Sequence, residues 1–172
     1  MRVTKKIGPS TKPIAPTRPT ARASRHVGAV EEPKLRPYTQ ADRDSCQRIA
    51  GLSTDYAHAL DDGADAIEVA VLNGDVIGFA HIQVWAWNHV AWVGDILIEE
   101  QLRNRGIGSQ LLQRIEERAR ELGCKVIMDS PPMTHPAVNY YIKRGYRICG
   151  FNDRYYADTD VTTAIFVCKE LT

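Results

Sequence analysis

Paired cysteines are missing from this chain of 172 residues. Cys46, Cys124, Cys149 and Cys168 include no two at C-x-x-C spacing. That argues against a zinc site or a disulfide framework and fits reduced thiols in a cytoplasmic setting. Long apolar runs are missing too. None approaches the ~18 residues that a membrane-spanning helix needs. Acid is absent from residues 1–30, which carry Arg2, Lys5, Lys6, Lys12, Arg18, Arg22 and Arg25. The remainder holds 15 basic against 21 acidic residues, a net of −6 hidden beneath the overall +1. Residues 1–30 also contain Pro9, Pro13, Pro16 and Pro19 and almost no large apolar side chain. Such a segment buries too little surface to offset its ordering entropy, so it reads as a disordered basic extension. It lacks the apolar stretch of a secretory signal, although an organelle transit peptide would share its basic, acid-free composition. It could tether weakly to an anionic surface, but an acidic remainder argues against a nucleic-acid partner.

What is present is one domain's worth of patterned sequence from 34 to 172. Residues 34–38 read as a short strand, with Pro37 suited to its edge or end. Thr39 can cap a helix through Asp42, Cys46, Ile49 and Ala50. The stretch 52–66 carries no clear period. Strands at 67–72 and 75–85 flank Asn73-Gly74, a strong hairpin signal. A second turn at Asn88-His89 leads into a strand at 91–98, completing an antiparallel meander. Ile107, Leu111, Leu112, Ile115, Ala119 and Leu122 fall at helical spacing, and Gly123 ends the run. A buried strand follows at 125–129. A helix over 135–144 has Pro136 in its first turn and Gly145 at its end. Strands at 147–156 and 161–171 close the chain. Strand 91–98, its helix and strand 125–129 make a βαβ unit, so those two strands should be parallel.

The chemistry concentrates in "LRNRGIGSQLL", residues 102–112. A strand, a glycine-bearing loop and a helix start form anion-binding geometry. The first amides of a helix lack internal partners, and the helix dipole adds roughly half a positive charge there. Gly106 and Gly108 let the backbone approach a ligand closely, while Arg103 and Arg105 add charge. The phosphate loop of the nucleotide triphosphatases needs GxxxxGK[ST], which is absent. The dinucleotide fingerprint needs a third glycine where Leu111 stands.

The spacing that does match, Arg103-x-x-Gly106-x-Gly108, resembles the acyl-CoA pyrophosphate loop of the GNAT superfamily of N-acetyltransferases. Downstream, "HPAVNYYIKRGY" (135–146) resembles that family's helix with a tyrosine four residues before glycine and then an aromatic: Tyr141, Gly145 and Tyr146. The order of elements agrees over about four-fifths of the chain. The resemblance implies an α/β fold: a central mixed, mostly antiparallel sheet of about six to seven strands, helices on both faces, and a splayed parallel pair in the middle. It implies acetyl-CoA as co-substrate, no metal, and a small-molecule or peptide amine as acceptor. It implies no membrane partner and allows a homodimer. The backbone of Ile96, Leu97 and Ile98 would meet the thioester and pantetheine arm. The loop Arg103, Asn104, Arg105, Gly106, Ile107, Gly108 and Ser109 would hold the pyrophosphate. Thr134 stands where the family often carries a cofactor-touching asparagine, and Asn104 where glycine is common. Tyr141 would protonate the departing thiolate. The base that takes the amine's proton would be Asp129 or Asp95, either of which could instead cap a loop or pair with arginine.

Other residues favour structural readings. His81, in mid-strand, suits a hydrogen-bonded core position, Tyr140 a structural place on its helix, and Glu99 and Glu100 a solvated one. Trp85, Trp87 and Trp92 crowd one hairpin, where cross-strand packing is the simplest account. An acceptor-site wall is the second, because aromatic faces beside acids suit a cationic amine. Two functions stand against each other: an acetyl-CoA-dependent N-acetyltransferase, or a non-catalytic acyl-CoA-binding or regulatory module on the same fold. Tyr141 favours the enzyme, since a mere binder needs no placed acid. The last third, from Ile148 onward, faintly resembles streptothricin-type acetyltransferases.

Overall fold

The computed structural model describes residues 32–51, 60, 63–156, 160 and 162–172. The expectation for residues 1–30, and most of the stretch 52–66, lie outside them. Seven strands form one mixed sheet: β1 (Lys34–Pro37), β2 (Ala66–Leu72), β3 (Asp75–Trp85), β4 (Val90–Ile98), β5 (Val126–Asp129), β6 (Arg147–Asn152) and β7 (Ala164–Glu170). Across the sheet they run β1-β2-β3-β4-β5-β7-β6. Each neighbouring pair is antiparallel except β4 and β5, the parallel pair expected from the βαβ unit. The α-helices among the described residues are α1 (Arg43–Ala50), α2 (Ile107–Glu121) and α3 (Ala137–Ile142).

Local chemistry explains most of these elements. Asn73 and Gly74 both take positive φ, 54° and 91°, which a two-residue hairpin turn of the primed type requires. The apolar stripe of α2 (Ile107, Leu111, Leu112, Ile115 and Ala119) is buried against the sheet. Burying each large aliphatic contributes roughly 1.5–3 kcal/mol. The same helix carries a buried carboxylate. Glu116 accepts from the Tyr146 hydroxyl at 3.0 Å and from Lys169 Nζ at 2.7 Å. This ties α2 to β7 and to Tyr146, directly before β6. On the opposite sheet face, α1 packs Cys46 with Val69, Val76 and Phe79 in a second, smaller core. Glu99, expected in solvent, instead pairs with Arg48 of α1 at 2.5 Å, its side chain only 15% exposed. That contact joins α1 to the end of β4.

Three elements are shorter than the sequence pattern predicts. The helix expected over 135–144 spans only Ala137–Ile142, because Pro136 caps it and the amides of Arg144 and Gly145, just past its end, bond three residues back. The strand expected to reach 156 stops at Asn152, whose side chain accepts from the Arg154 amide and turns the chain. The last strand starts at Ala164 rather than 161. No described helix is long and apolar enough to cross a membrane.

Candidate active site

Strands β4 and β5 pair over three residues only: Val90 with Val126, Ala91 with Ile127 and Trp92 with Met128. Beyond that point they part. A β-bulge helps to steer β4 away. His81 of β3 faces Asp95 and Ile82 faces Val93, which leaves Gly94 without a partner. Only glycine suits that position. A Cβ there would stand 1.9 Å from His81 Cε1, because the buried imidazole lies directly against the backbone. From Gly94 to Ile98, the main-chain groups turned away from β3 have no strand to pair with. These residues line a cavity of about 870 Å³ in the gap.

One end of this cavity gathers helix-start amides and guanidinium groups. Asn104 and Gly106 adopt positive φ, 61° and 85°, as the loop turns into α2. The amides of Ser109 and Gln110 both donate to Gly106 O, at 3.0 and 3.1 Å. The amides of Ile107 and Gly108 precede them and have no intrahelical acceptor. The nearest neighbours of a Cβ at Gly108 would be the Tyr140 hydroxyl at 3.6 Å and the side chains of Ile96 and Ile98 at 3.8–4.0 Å. The floor here is therefore bare backbone. Arg103 lies at the rim, its Nε donating to Ile98 O at 3.2 Å. Arg144 adds a second cation: its guanidinium sits 3.6 Å over the Tyr140 ring and donates to Tyr140 O at 2.9 Å and to Ser109 Oγ.

The other end is acidic. Asp129 closes β5, and its carboxylate accepts from the Ser130 amide at 2.6 Å and from the Tyr141 hydroxyl. Burial is the largest influence on it, and Asp95 nearby adds to it. Together they push Asp129 up to about 6 despite those two donors. Burial likewise raises Tyr141 well above an ordinary phenol, with the Asp129 charge next in weight. Asp95 lies across the gap, 3.4 Å from His81 Nε2. Strand alternation places the two carboxylates on opposite faces. Asp95 shares the α1 face with Phe79 and Leu97, while Asp129 shares the α2 face with Ile127 and Val167. The Tyr156 hydroxyl donates to Ser130 O and feels the charge of both.

A consequence for stability can be measured. Asp129 holds its proton more tightly folded than unfolded, where its ordinary value is 3.8. Its contribution to stability therefore falls as pH rises from about 4 to about 6 and is level above that. Asp129→Asn removes this slope. The variant is expected to gain up to about 3 kcal/mol relative to the native chain between pH 4 and pH 7.5, read by urea unfolding at both values. Parallel pH dependence of the two proteins would show that Asp129 is not held protonated.

Of the residues expected from the sequence, Asp95, Ile96, Leu97, Ile98, Arg103, Asn104, Gly106, Gly108, Ser109, Asp129 and Tyr141 line this one cavity. Three do not. Arg105 is exposed and donates to Gln101 O at 3.3 Å, the Ile107 side chain is buried in the core, and Thr134 is exposed. Tyr140 differs from its structural reading, since it lines the cavity and carries Arg144 on its ring. Arg144, Ser130 and Tyr156 also belong to the wall and were not expected there. A hint for Arg144 was present: it lies four residues after Tyr140, on the same helix face. Among the described residues no group of three or more His, Cys, Asp or Glu side chains could hold a metal ion.

Comparison with known proteins bears on this geometry. The model of a family described as "Acetyltransferase (GNAT) family" matches residues 31–146. Streptothricin acetyltransferase of Streptomyces lavendulae is 31% identical over 88 residues, covering 51% of this chain and 47% of that protein. Aminoalkylphosphonate N-acetyltransferase of Salmonella typhimurium is 30% identical over 84 residues, covering 46% and 54%. The chain thus spans about half the length of these relatives. Among solved structures, a GNAT family acetyltransferase from Elizabethkingia anophelis with acetyl-CoA bound superposes with a TM-score of 0.69 at 20% identity, covering 81% of this chain and 99% of the other. At that identity the likeness shows the fold alone.

Proposed function

The chain belongs to the acetyltransferase (GNAT) family and is an acyltransferase, and from that premise we propose that it moves an acetyl group from acetyl-CoA to a primary amine, on a small molecule or a peptide N-terminus. One observation carries the reading. A single cavity has a cationic, amide-lined end and a carboxylate-lined end, with the hydrogen-bonded Asp129–Tyr141 pair beside it. Phosphates suit the first end and an ammonium group the second. The neighbour with acetyl-CoA bound and the relatives named for amine acetylation support the same assignment.

The residues divide the work as follows. The amides of Ile107 and Gly108, with Arg103 and Arg144, hold the pyrophosphate. Acetyl-CoA supplies an activated acyl group whose carbonyl would lie against the gap-facing side of the Ile96–Ile98 backbone, where an amide can stabilise negative charge on oxygen. An ammonium group has no lone pair, so the amine must first lose a proton. Asp95, open to the α1 face, accepts it and passes it to water. After attack the nitrogen carries a surplus proton and the departing thiolate needs one. Tyr141 gives its phenolic proton to the sulfur as the Asp129 carboxylate takes up the nitrogen's proton and passes it to the Tyr141 oxygen, so the transfer from neutral amine to thiol balances. A carboxyl that titrates near 6 is suited to both giving and receiving at neutral pH.

The test is release of free thiol from acetyl-CoA across a panel of amines and peptide N-termini. Amine-dependent release with N-acetylated product is the expected result. Thiol release that no amine accelerates would overturn the proposal. We further propose that residues 1–30 are an extension separate from the acyltransferase unit and that the enzyme works in the cytoplasm, where its thiols stay reduced. Deleting 1–30 should leave kcat/KM within about twofold and the melting temperature within a degree or two. A large loss of either would show that the extension packs on the domain.

A further inference from the structure

Among the described residues seven aromatic rings stand outside both hydrophobic cores, and five of them touch one another. Trp85, Trp92, Phe166, Tyr155 and Tyr156 belong to neither the α1-side cluster nor the α2-side cluster. They form a continuous line instead. Centroid spacings are 5.2 Å for Trp85–Trp92, 5.8 Å for Trp92–Phe166, 5.6 Å for Phe166–Tyr155 and 5.0 Å for Tyr155–Tyr156. Register puts the strand-borne members on the α1 face: Trp92 faces Gln83 and Met128, and Met128 faces Cys168, two residues from Phe166. The line is open to solvent, with Trp85 43% and Tyr155 44% exposed. Its inner end reaches the cavity at Tyr156, whose hydroxyl feels both Asp95 and Asp129.

Core packing does not account for a row of half-buried rings with an exposed member at Trp85 and another at Tyr155, and their arrangement suits a ligand. Three of the four contacts are near-perpendicular, at 90°, 80° and 78°, so successive rings turn faces and edges outward by turns. A ring face attracts a cation, more strongly as water is excluded. Two carboxylates wait at the inner end, and residues 31–172 carry a net negative charge of −6. Methylene groups suit the intervening ring surface.

Resting on the acetyl-transfer reading above, we infer that the acceptor is a linear polycationic amine: its reacting nitrogen sits between Asp95 and Asp129, and its further ammonium groups and methylenes lie along Trp85, Trp92, Phe166 and Tyr155. Length and a second charge then set specificity, while the reacting group stays an ordinary primary amine.

The test uses the full chain with acetyl-CoA and four acceptors: 1-aminobutane, 1,4-diaminobutane, spermidine and phenethylamine. KM should fall from aminobutane to diaminobutane to spermidine by about tenfold or more overall. Trp85→Ala and Tyr155→Ala remove exposed rings and should fold. Each should shrink the aminobutane-to-spermidine KM ratio about three- to tenfold, the range expected for losing one cation–π contact. Equal KM values along the series, or a ratio unmoved by both substitutions, would overturn the inference while leaving acetyl transfer intact. A lower KM for phenethylamine than for spermidine would overturn it too, since the wall would then read apolar bulk rather than charge. Titration calorimetry of spermidine into the CoA-loaded protein gives a readout free of turnover. Binding weakened by Trp85→Ala supports the inference even if no amine is acetylated, an outcome that would sink only the acetyl-transfer reading. Absent binding, or binding unchanged in the variant, overturns it.

Discussion

A folded Gly108→Glu protein is expected to bind CoA at least a hundredfold more weakly than the native chain, a cost of about 2.7 kcal/mol or more. Two effects combine. The new side chain would leave the helix between Tyr140 Oη and the side chains of Ile96 and Ile98, filling the space over bare backbone. Its carboxylate would also stand where the proposed pyrophosphate lies, against the amides of the first turn. Stability should move the other way or not at all. The position has no positive φ and a Cβ meets nothing closer than 3.6 Å. An acidic residue in the first turn of a helix is worth a few tenths of a kcal/mol or more. Calorimetry with CoA, paired with a melting curve, separates the two effects. Unchanged affinity in a stable variant would remove the loop from the anion site.

Tyr141→Phe should lower kcat about ten- to a hundredfold with little change in CoA affinity, because in the proposed mechanism it removes a proton donor that acts only as the thiolate departs. Packing should survive, since the ring stays buried against Tyr140 and Tyr146. The Asp129 contact adds a second readout. Tyr141 is one of two donors holding Asp129 down against burial. Without it the carboxyl should titrate above 6, and the acidic limb of the rate profile should move to higher pH. The measurement needs a chemistry-limited acceptor in single turnover, because slow product release would hide the effect. Native rates, or a fall in kcat with an unmoved acidic limb, would assign the proton to water or the pair to structure.

Much of this was legible along the chain, and the reason is locality. The Asn73-Gly74 hairpin, the stripe of α2 and the Arg103–Gly108 loop are each encoded within a few turns or a few residues. Expected strand and helix positions therefore agree with the structure to within a few residues for most elements. The features that escaped depend on pairing between distant segments. Nothing near Gly94 announces a bulge until His81, thirteen residues earlier, is laid across it. Asp129 and Tyr141 were separate candidates, a base and an acid, but their hydrogen bond makes them one proton-holding unit. Tyr156 was assigned to a strand, yet the Asn152 turn carries it back to the cavity. The shortened α3 has a local cause that spacing alone does not weigh, since Pro136 and the tight last turn trim both ends.

The gap between β4 and β5 is lined from both faces of the sheet, with Leu97 and Asp95 on one side and Ile96, Ile98 and Tyr141 on the other. Two reactants that approach from opposite sides need not take turns. Initial-rate lines at different fixed acceptor concentrations should therefore intersect rather than run parallel, and no acylated form of the protein is called for. The same freedom has a cost at saturation. An acceptor that arrives before spent CoA has left closes an abortive ternary complex, so velocity should decline at high acceptor concentration. A gap lined from both faces thus sets the order of events as well as the place where they happen.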